Sequence, residues 1–477
     1  MKILFVSSEA GPFVRTGGLG DVIGSLPKTL SQLGEEVGVV LPLYEEISAD
    51  FRNKMEFIGS LVVPLGWRQQ YGGLFKLEWE NVSFFFVDNE YYFKRKGLYG
   101  HFDDGERFAF FSKAALELLP LMSFGKKQTP PDIIHCNDWQ TGLVPVMLDS
   151  FYRDIDYYKH IKTVMAIHNI EFQGEMDKYV IDNVFGIPAS HTSIVEYKGN
   201  ANMLKAGIES ANKVVTVSPT YANEIKDPFF AHGLEDIIRA RSFKISGILN
   251  GIDVDLYNPE KDKALFAKFS AKNPQKKAVN KKELQKLFNL PQKANVPLIG
   301  MVTRLTSQKG IDLVIRVIHD ILSLDLQLVV LGTGDWKYEN ALNDIVSQYP
   351  TKMASAIYFS ADVASKIYGG ADMFLMPSKF EPCGLSQMMS MRYGTIPIVR
   401  ETGGLKDSVT PFNPETKKGD GFTFLTYNAY DMLDAIKRAV GTFANKEEWS
   451  ALMKNVMAKD WSWERSAKEY IALYKSM

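Results

Sequence analysis

The chain has 477 residues, 45% hydrophobic and 23% charged, enough at ~100–200 residues per domain for two to four domains with full cores. Fifty-five Lys and Arg against 56 Asp and Glu give a formal charge of −1, which argues against a nucleic-acid coat or a polybasic membrane arm. Cys136 and Cys383 make neither a disulfide framework nor a zinc ribbon, and no apolar run approaches the ~18 residues of a membrane span, so a reduced, cytoplasmic protein with no membrane partner is expected.

In chain order, Ile3–Val6, Val37–Leu41, Ile133–Ile134, Val164–Ile167 and Val214–Val217 read as buried strands. Leu298–Val302, Leu326–Leu331, Ala356–Phe359, Met373–Met376 and Ile396–Val399 form a second series. Runs this short, apolar on both faces and separated by helical patterns, predict an α/β protein with two Rossmann-like parallel-sheet domains. Between the series, Asn258–Lys293, with ten lysines from Lys261 to Lys293, reads as a solvated helical insertion in preference to a basic interaction surface. At the end, Trp461 and Trp463 followed by Ala467, Tyr470, Leu473 and Tyr474 predict a helix docked by its aromatics.

Thr16-Gly17-Gly18-Leu19-Gly20-Asp21 recurs as Thr402-Gly403-Gly404-Leu405-Lys406-Asp407, five identities in six positions. Each copy follows a strand and precedes a helix start, where glycines admit a ligand to the backbone amides and the helix dipole favours an anion. An NAD fingerprint is absent, because Ile23 stands where G-x-G-x-x-G requires its third glycine.

Arg304 and Lys309, five residues apart after the strand ending at Val302, suit one phosphate group. Leu331-Gly332-Thr333-Gly334-Asp335 is another glycine-turned strand end. Glu381-Pro382-Cys383-Gly384-Leu385 leads into a helix and suits sugar hydroxyls beside a phosphate; an ordinary cap is the alternative. His135-Cys136-Asn137-Asp138 and Ile167-His168-Asn169 crowd polar groups onto two neighbouring strand ends. Asn89–Arg95 is an aromatic-rich stretch that suits either stacking on a ligand ring or core. P-loop, nucleophile-elbow and zinc-protease motifs are absent, and no metal is expected.

Taken together, Arg15–Val22, His135–Leu143, Ala166–Gly174, Leu249–Asp253, Thr303–Gly310, Phe380–Leu385 and Glu401–Asp407 resemble the bacterial and plant-type glycogen and starch synthases. The resemblance implies a GT-B fold with a deep interdomain cleft: an acceptor-side domain over 1–245, a nucleotide-sugar domain over 246–455, and a helix over 456–477 crossing back. It implies retaining transfer of glucose from ADP-glucose to an α-1,4-glucan, without an obligatory metal; the number of subunits is not set by it.

By that resemblance Arg304 and Lys309 hold the diphosphate, and Glu381 binds the transferred glucose beside the amides of Cys383, Gly384 and Leu385. His168 lies against the reacting sugar, Asp138 and Asn250 hold other hydroxyls, and Phe359 faces adenine. Thr402, Gly17 and Gly18 contact phosphates and Asp21 the donor, with Arg15, Thr16, Asn169, Gly332 and Gly403 lining the same substrate loops. Two positions depart from the family: Arg15 replaces its usual lysine, and Met389 stands where UDP-sugar relatives carry a second glutamate. Rival expectations are a UDP-sugar-dependent GT-B transferase, a sugar-nucleotide epimerase, and a catalytically silent glucan-binding protein.

Overall fold

β1 (Lys2–Val6), all five residues of which are buried, is inserted between two parallel neighbours at the centre of a nine-stranded sheet. The first unit continues in chain order with β2 (Glu36–Pro42), β3 (Glu56–Leu65), β4 (Arg68–Trp79), β5 (Val82–Asp88), β6 (Ile133–Asn137) and β7 (Lys162–Ile167). A small sheet of β8 (Glu175–Asp177), β9 (Glu196–Tyr197) and β10 (Asn200–Asn202) follows, then β11 (Lys213–Thr216) and β12 (Ile245–Gly247). The large sheet runs β12-β11-β7-β6-β1-β2-β5-β4-β3, parallel as far as β5 and antiparallel over the last two pairs.

The second unit holds β13 (Leu298–Val302), β14 (Gln327–Leu331), β15 (Met353–Ala356), β16 (Met373–Met376), β17 (Ile396–Arg400) and β18 (Phe422–Phe424), all parallel in the order β15-β14-β13-β16-β17-β18. The computed structural model describes residues 1–477. The first unit is Met1–Asn250 with Trp463–Met477, and the second is Gly251–Ser462. The first division falls after Asn250 rather than 245, and the returning segment starts at Trp463 rather than 456. Lys459 Nζ still donates to Ser408 O at 2.9 Å, which ties that stretch to the second unit. No helix is long and apolar enough to cross a membrane.

Three expectations need correction. The strand expected at Ala356–Phe359 is Met353–Ala356: its register with β14 runs Met353 to Ala356, and Tyr358 and Phe359 lie exposed beyond it. The antiparallel β3–β4–β5 meander has no counterpart among the expected strands. The lysine-rich insertion is not simply solvated. Its helix Lys277–Leu287 buries Lys277, Asn280, Lys281 and Leu284, and Lys281 pairs with Asp372 at 2.7 Å. Lys277 Nζ donates to the carbonyls of Tyr368, Gly369 and Tyr393 and to Thr395 Oγ1, at 3.2, 2.9, 2.9 and 2.7 Å.

Candidate functional site

In the first unit, the ten residues after β1 fold around a carboxylate that none of the sequence motifs singles out. Glu9, 4% exposed, accepts from Thr16 N at 2.6 Å and Thr16 Oγ1 at 2.7 Å, and from Tyr99 Oη at 2.6 Å. The available signal was an acidic residue three positions past a buried strand end, flanked by Ser7 and Ser8. Thr16 is thereby fixed, and the helix Gly18–Gln32 starts behind Gly17 with no side chain capping it. Its first amides therefore remain suited to an anion. Gly20 is required for packing, since a Cβ there would stand 2.4 Å from the Arg15 Cβ. Arg15 Nη1 donates to Asp21 Oδ1 at 2.8 Å, so two of the expected substrate groups engage each other.

The ends of β6 and β7 are joined by Asp138, which sits at φ +55°, a conformation rare outside glycine. Its Oδ1 accepts from His168 N at 2.7 Å and Asn169 N at 3.4 Å. His168 Nε2–H donates to Asn137 Oδ1 at 3.0 Å, which fixes its tautomer, since the Asn137 Nδ2 donates to Val6 O. The Asn169 side chain is used locally, accepting from Glu171 N at 3.0 Å. Asn250 is buried, and its Oδ1 has no partner. An orphaned buried acceptor at the end of a strand-edge loop is suited to a ligand donor. Behind them His135, stacked on Phe5, shares a 2.8 Å hydrogen bond between its Nδ1 and Tyr474 Oη of the C-terminal helix Trp463–Lys475.

Burial pushes His135 down to about 3 and His168 to about 4, and raises Asp138 to about 7. An unfolded chain binds more protons than the native one at each histidine below pH 6.5, so each makes stability fall on acidification. Asp138 works in the opposite sense between about 4 and 7. Two groups outweigh one. Thermal unfolding should thus show a melting temperature that falls from pH 6.5 to 4, and His135→Gln should markedly flatten that dependence.

In the second unit Lys309 and the Thr402–Gly404 loop meet the Glu381 segment, whereas Arg304 and Phe359 do not. The Glu381 carboxylate, 7% exposed, accepts from Lys309 Nζ at 2.9 Å and 2.7 Å through its two oxygens, and from Ser378 Oγ at 2.9 Å. Lys379 N donates to Gln308 O at 2.8 Å, binding the loop after β13 to the loop after β16. Gly310, at φ +75°, turns against Pro377 O, 2.2 Å from where a Cβ would be. Gly332 lies equally close to Thr303 O, 1.8 Å from its virtual Cβ. Arg304 and Phe359 are exposed, with Phe359 87% so. Arg304 lies no nearer than 3.5 Å to Gln308 Oε1, and remains outside the Glu381 cluster.

Cys383 and Gly384 are buried and Leu385 partly so. The helix begins only at Ser386, so Cys383 lies ahead of its first turn. Thr402, fully buried, precedes the helix Gly403–Ser408. Gly403 has φ +45°, and a Cβ there would meet Glu381 O at 2.0 Å; one on Gly404 would meet Cys383 O at 2.0 Å. The two loops are therefore in backbone contact. Gly403→Ala should displace the Glu381 segment and cost at least ~10-fold in activity. Gly17→Ala, with nothing within 4 Å of the added carbon, should leave the melting temperature unchanged. Melting curves and initial rates of both variants check this.

The starch synthase catalytic domain family matches residues 2–240, and glycosyl transferases group 1 matches residues 282–449. Over 479 residues, covering 100% of both chains, the sequence is 47% identical to a glycogen synthase of Alkaliphilus metalliredigens. It is 49% identical over 480 residues, again 100% of both, to a glycogen synthase of Clostridium acetobutylicum. Among solved structures, the catalytic domain of starch synthase IV from Arabidopsis thaliana bound to ADP and acarbose has a TM-score of 0.90 at 34% identity, covering 100% of this chain and 99% of that one. Sucrose-phosphate synthase from Thermosynechococcus elongatus, 16% identical with a TM-score of 0.62 over 99% and 98% of the two chains, has the same fold.

Proposed function

The chain belongs to the glycogen and starch synthase family of glucosyltransferases with the GT-B fold, and from that premise we propose that it transfers glucose from ADP-glucose to the non-reducing end of an α-1,4-glucan with retention of configuration. Identity near one half along the whole length of curated glycogen synthases carries this reading. The ADP held by the Arabidopsis relative supports the choice of donor, since ADP is what ADP-glucose leaves behind.

Arg304 and Lys309 neutralise the diphosphate as the glycosidic bond breaks, with Thr402, Gly17 and Gly18 presenting backbone donors to phosphate oxygens. Preorganised groups that stabilise developing charge lower the barrier of such a reaction more than any other single effect. Lys309, held by both Glu381 oxygens, is aimed before substrate arrives. Glu381 in turn orients the transferred glucose, assisted by Asp138 and Asn250 on its hydroxyls, while Asp21 contacts the donor and Phe359 stacks on adenine. A neutral His168 tolerates oxocarbenium-like charge that an imidazolium would repel. Glu381 is committed to Lys309 and Ser378 rather than free as a nucleophile, which favours same-face attack by the acceptor over a glycosyl-enzyme. We assign the reaction no obligatory metal, and place the enzyme in the cytoplasm.

The test is transfer from labelled ADP-glucose and, separately, UDP-glucose into glycogen, with EDTA present. Strong transfer from ADP-glucose alone is expected. Preference for UDP-glucose would overturn the donor, loss of activity in EDTA the metal assignment, and glycogen binding without transfer from either donor the enzyme reading itself.

A further inference from the structure

The carboxyl ends of β6 and β7 lead into Asp138 and His168, and the opposite edge of the same sheet also gathers polar groups. A cavity of about 330 Å³ is lined there by Asp149, Arg153, Lys159, Ile161, Lys162 and Asn212. Lys162 is the first residue of β7, and Asn212 directly precedes β11. The volume falls at the lower end of the ~300–1,000 Å³ usual for small-molecule sites.

Two of the charges are spent on building the walls. Arg153 Nε and Nη2 donate to Asp149 Oδ1 at 2.9 and 2.5 Å, which neutralises the one lining carboxylate. Arg153 Nη1 donates to Ile161 O at 2.9 Å and reaches the carbonyls of Tyr158 and Lys159 at 3.4 Å. The guanidinium thereby holds the following loop against the end of its own helix. That end, Leu148–Tyr152, is a π-helical turn, a form that is rare and concentrates at functional sites.

The other cations are uncommitted. Lys159 and Lys162 are exposed, and neither ammonium has a hydrogen-bond or ionic partner. Asn212 Oδ1 accepts from Thr163 N at 2.8 Å, which leaves its Nδ2 as a donor. Lys244 Nζ, held on Ala211 O at 2.6 Å, adds positive charge beside Asn212. Asp154 and Asp156 are exposed on the same loop but do not line the cavity. Two free ammoniums and an amide donor around one space suit a doubly charged tetrahedral oxyanion, for which lysine serves as a point charge. The space exceeds that of one phosphate group, and Asp149 Oδ2, unused by Arg153, can accept from a hydroxyl.

We propose that this cavity binds a phosphorylated monosaccharide, with Lys159, Lys162 and Asn212 on the phosphate and Asp149 Oδ2 on a sugar hydroxyl. The site is separate from the residues assigned to glucose transfer, and it stands or falls independently of that reaction.

Isothermal titration calorimetry with fructose 6-phosphate reads binding without reference to transfer. Low salt preserves the contribution of exposed charges, and saturating ADP occupies any donor site. Fructose 6-phosphate should bind at one site and more tightly than inorganic phosphate, and fructose should not bind. Lys159→Ala and Lys162→Ala should each raise the Kd about ten-fold, roughly 1.4 kcal/mol, whereas Lys162→Arg should keep it within a few-fold. Both lysines are exposed, so their loss does not threaten the fold, and melting curves verify this. Glucose transfer without added sugar phosphate should be unchanged in these variants. An unaltered Kd in the Lys159→Ala, Lys162→Ala double variant would overturn the site. Inorganic phosphate binding as tightly as fructose 6-phosphate would overturn the sugar phosphate as its ligand. Absence from the wild type of both binding heat and a ligand-dependent rise in melting temperature would overturn the proposal outright.

Discussion

Lys309→Ala is expected to lower kcat by a factor of about 10²–10³, the loss that follows removal of one preorganised charge-stabilising donor. The geometry makes a second effect unavoidable. Lys309 bridges both oxygens of Glu381, and only Ser378 Oγ remains to a carboxylate that is 7% exposed. Stripping one partner from a buried pair typically costs about 3–5 kcal/mol, so the variant should melt earlier as well as turn over slowly. The two effects can be separated. Glu381→Gln in the Lys309→Ala background removes the stranded charge and should restore much of the melting temperature without restoring turnover. Recovery of kcat in the double variant would mean that Lys309 serves only to neutralise Glu381, and the phosphate role would have to pass to Arg304 alone.

The central strands of both sheets were legible because parallel strands covered on both faces leave short uninterrupted apolar runs. The β3–β4 hairpin left a different trace. Its first strand is mostly solvent-facing and its residues alternate weakly, and the turn into β5 uses Glu80 and Asn81 at φ +49° and +64° with no glycine to announce it. Phe359 looked like the end of a strand by hydrophobicity, yet its backbone lies beyond the last pair of the β14–β15 ladder.

The repeated Thr-Gly-Gly motif was visible as sequence, but its two copies are not equivalent. The first closes a long loop around Glu9 and opens a helix of 15 residues, whereas the second follows β17 directly and opens one of 6. Identical residues marked the same local need for close backbone approach. What they approach is set by tertiary partners: Glu9 and Tyr99 in one unit, the Glu381–Gly384 backbone in the other. Lys277 was hidden for a related reason. Ten lysines in a row of polar residues describe a solvated surface on average, and no periodicity singles out the one that turns inward.

That lysine supports the second large expectation. Tyr368 and Gly369 lie in the last turn of the helix Ala361–Gly370, and Tyr393 directly follows the helix Ser386–Arg392. Carbonyls at helix ends lack intrahelical donors and carry the negative end of the dipole, and Lys277 Nζ closes both ends at once with Thr395 Oγ1 as a further acceptor. Lys277→Met fills the volume but leaves the Gly369 and Tyr393 carbonyls without this donor, at about 1–3 kcal/mol for each that water does not reach, while Tyr368 O keeps Thr395 Oγ1 at 2.6 Å. A total of about 3–5 kcal/mol, or roughly 10 °C or more in the melting temperature of a unit this size, is expected. Lys276→Met, one residue earlier and exposed, should change stability by no more than about 0.5 kcal/mol. Lys277→Arg should not rescue, because a planar fork cannot converge on acceptors that surround a single nitrogen. The helix capped through Tyr393 is the one that follows Glu381–Leu385, so turnover in Lys277→Met should fall at temperatures below its melting point. Unimpaired turnover there would show that the cap carries stability alone and leaves the position of Glu381 to its own partners.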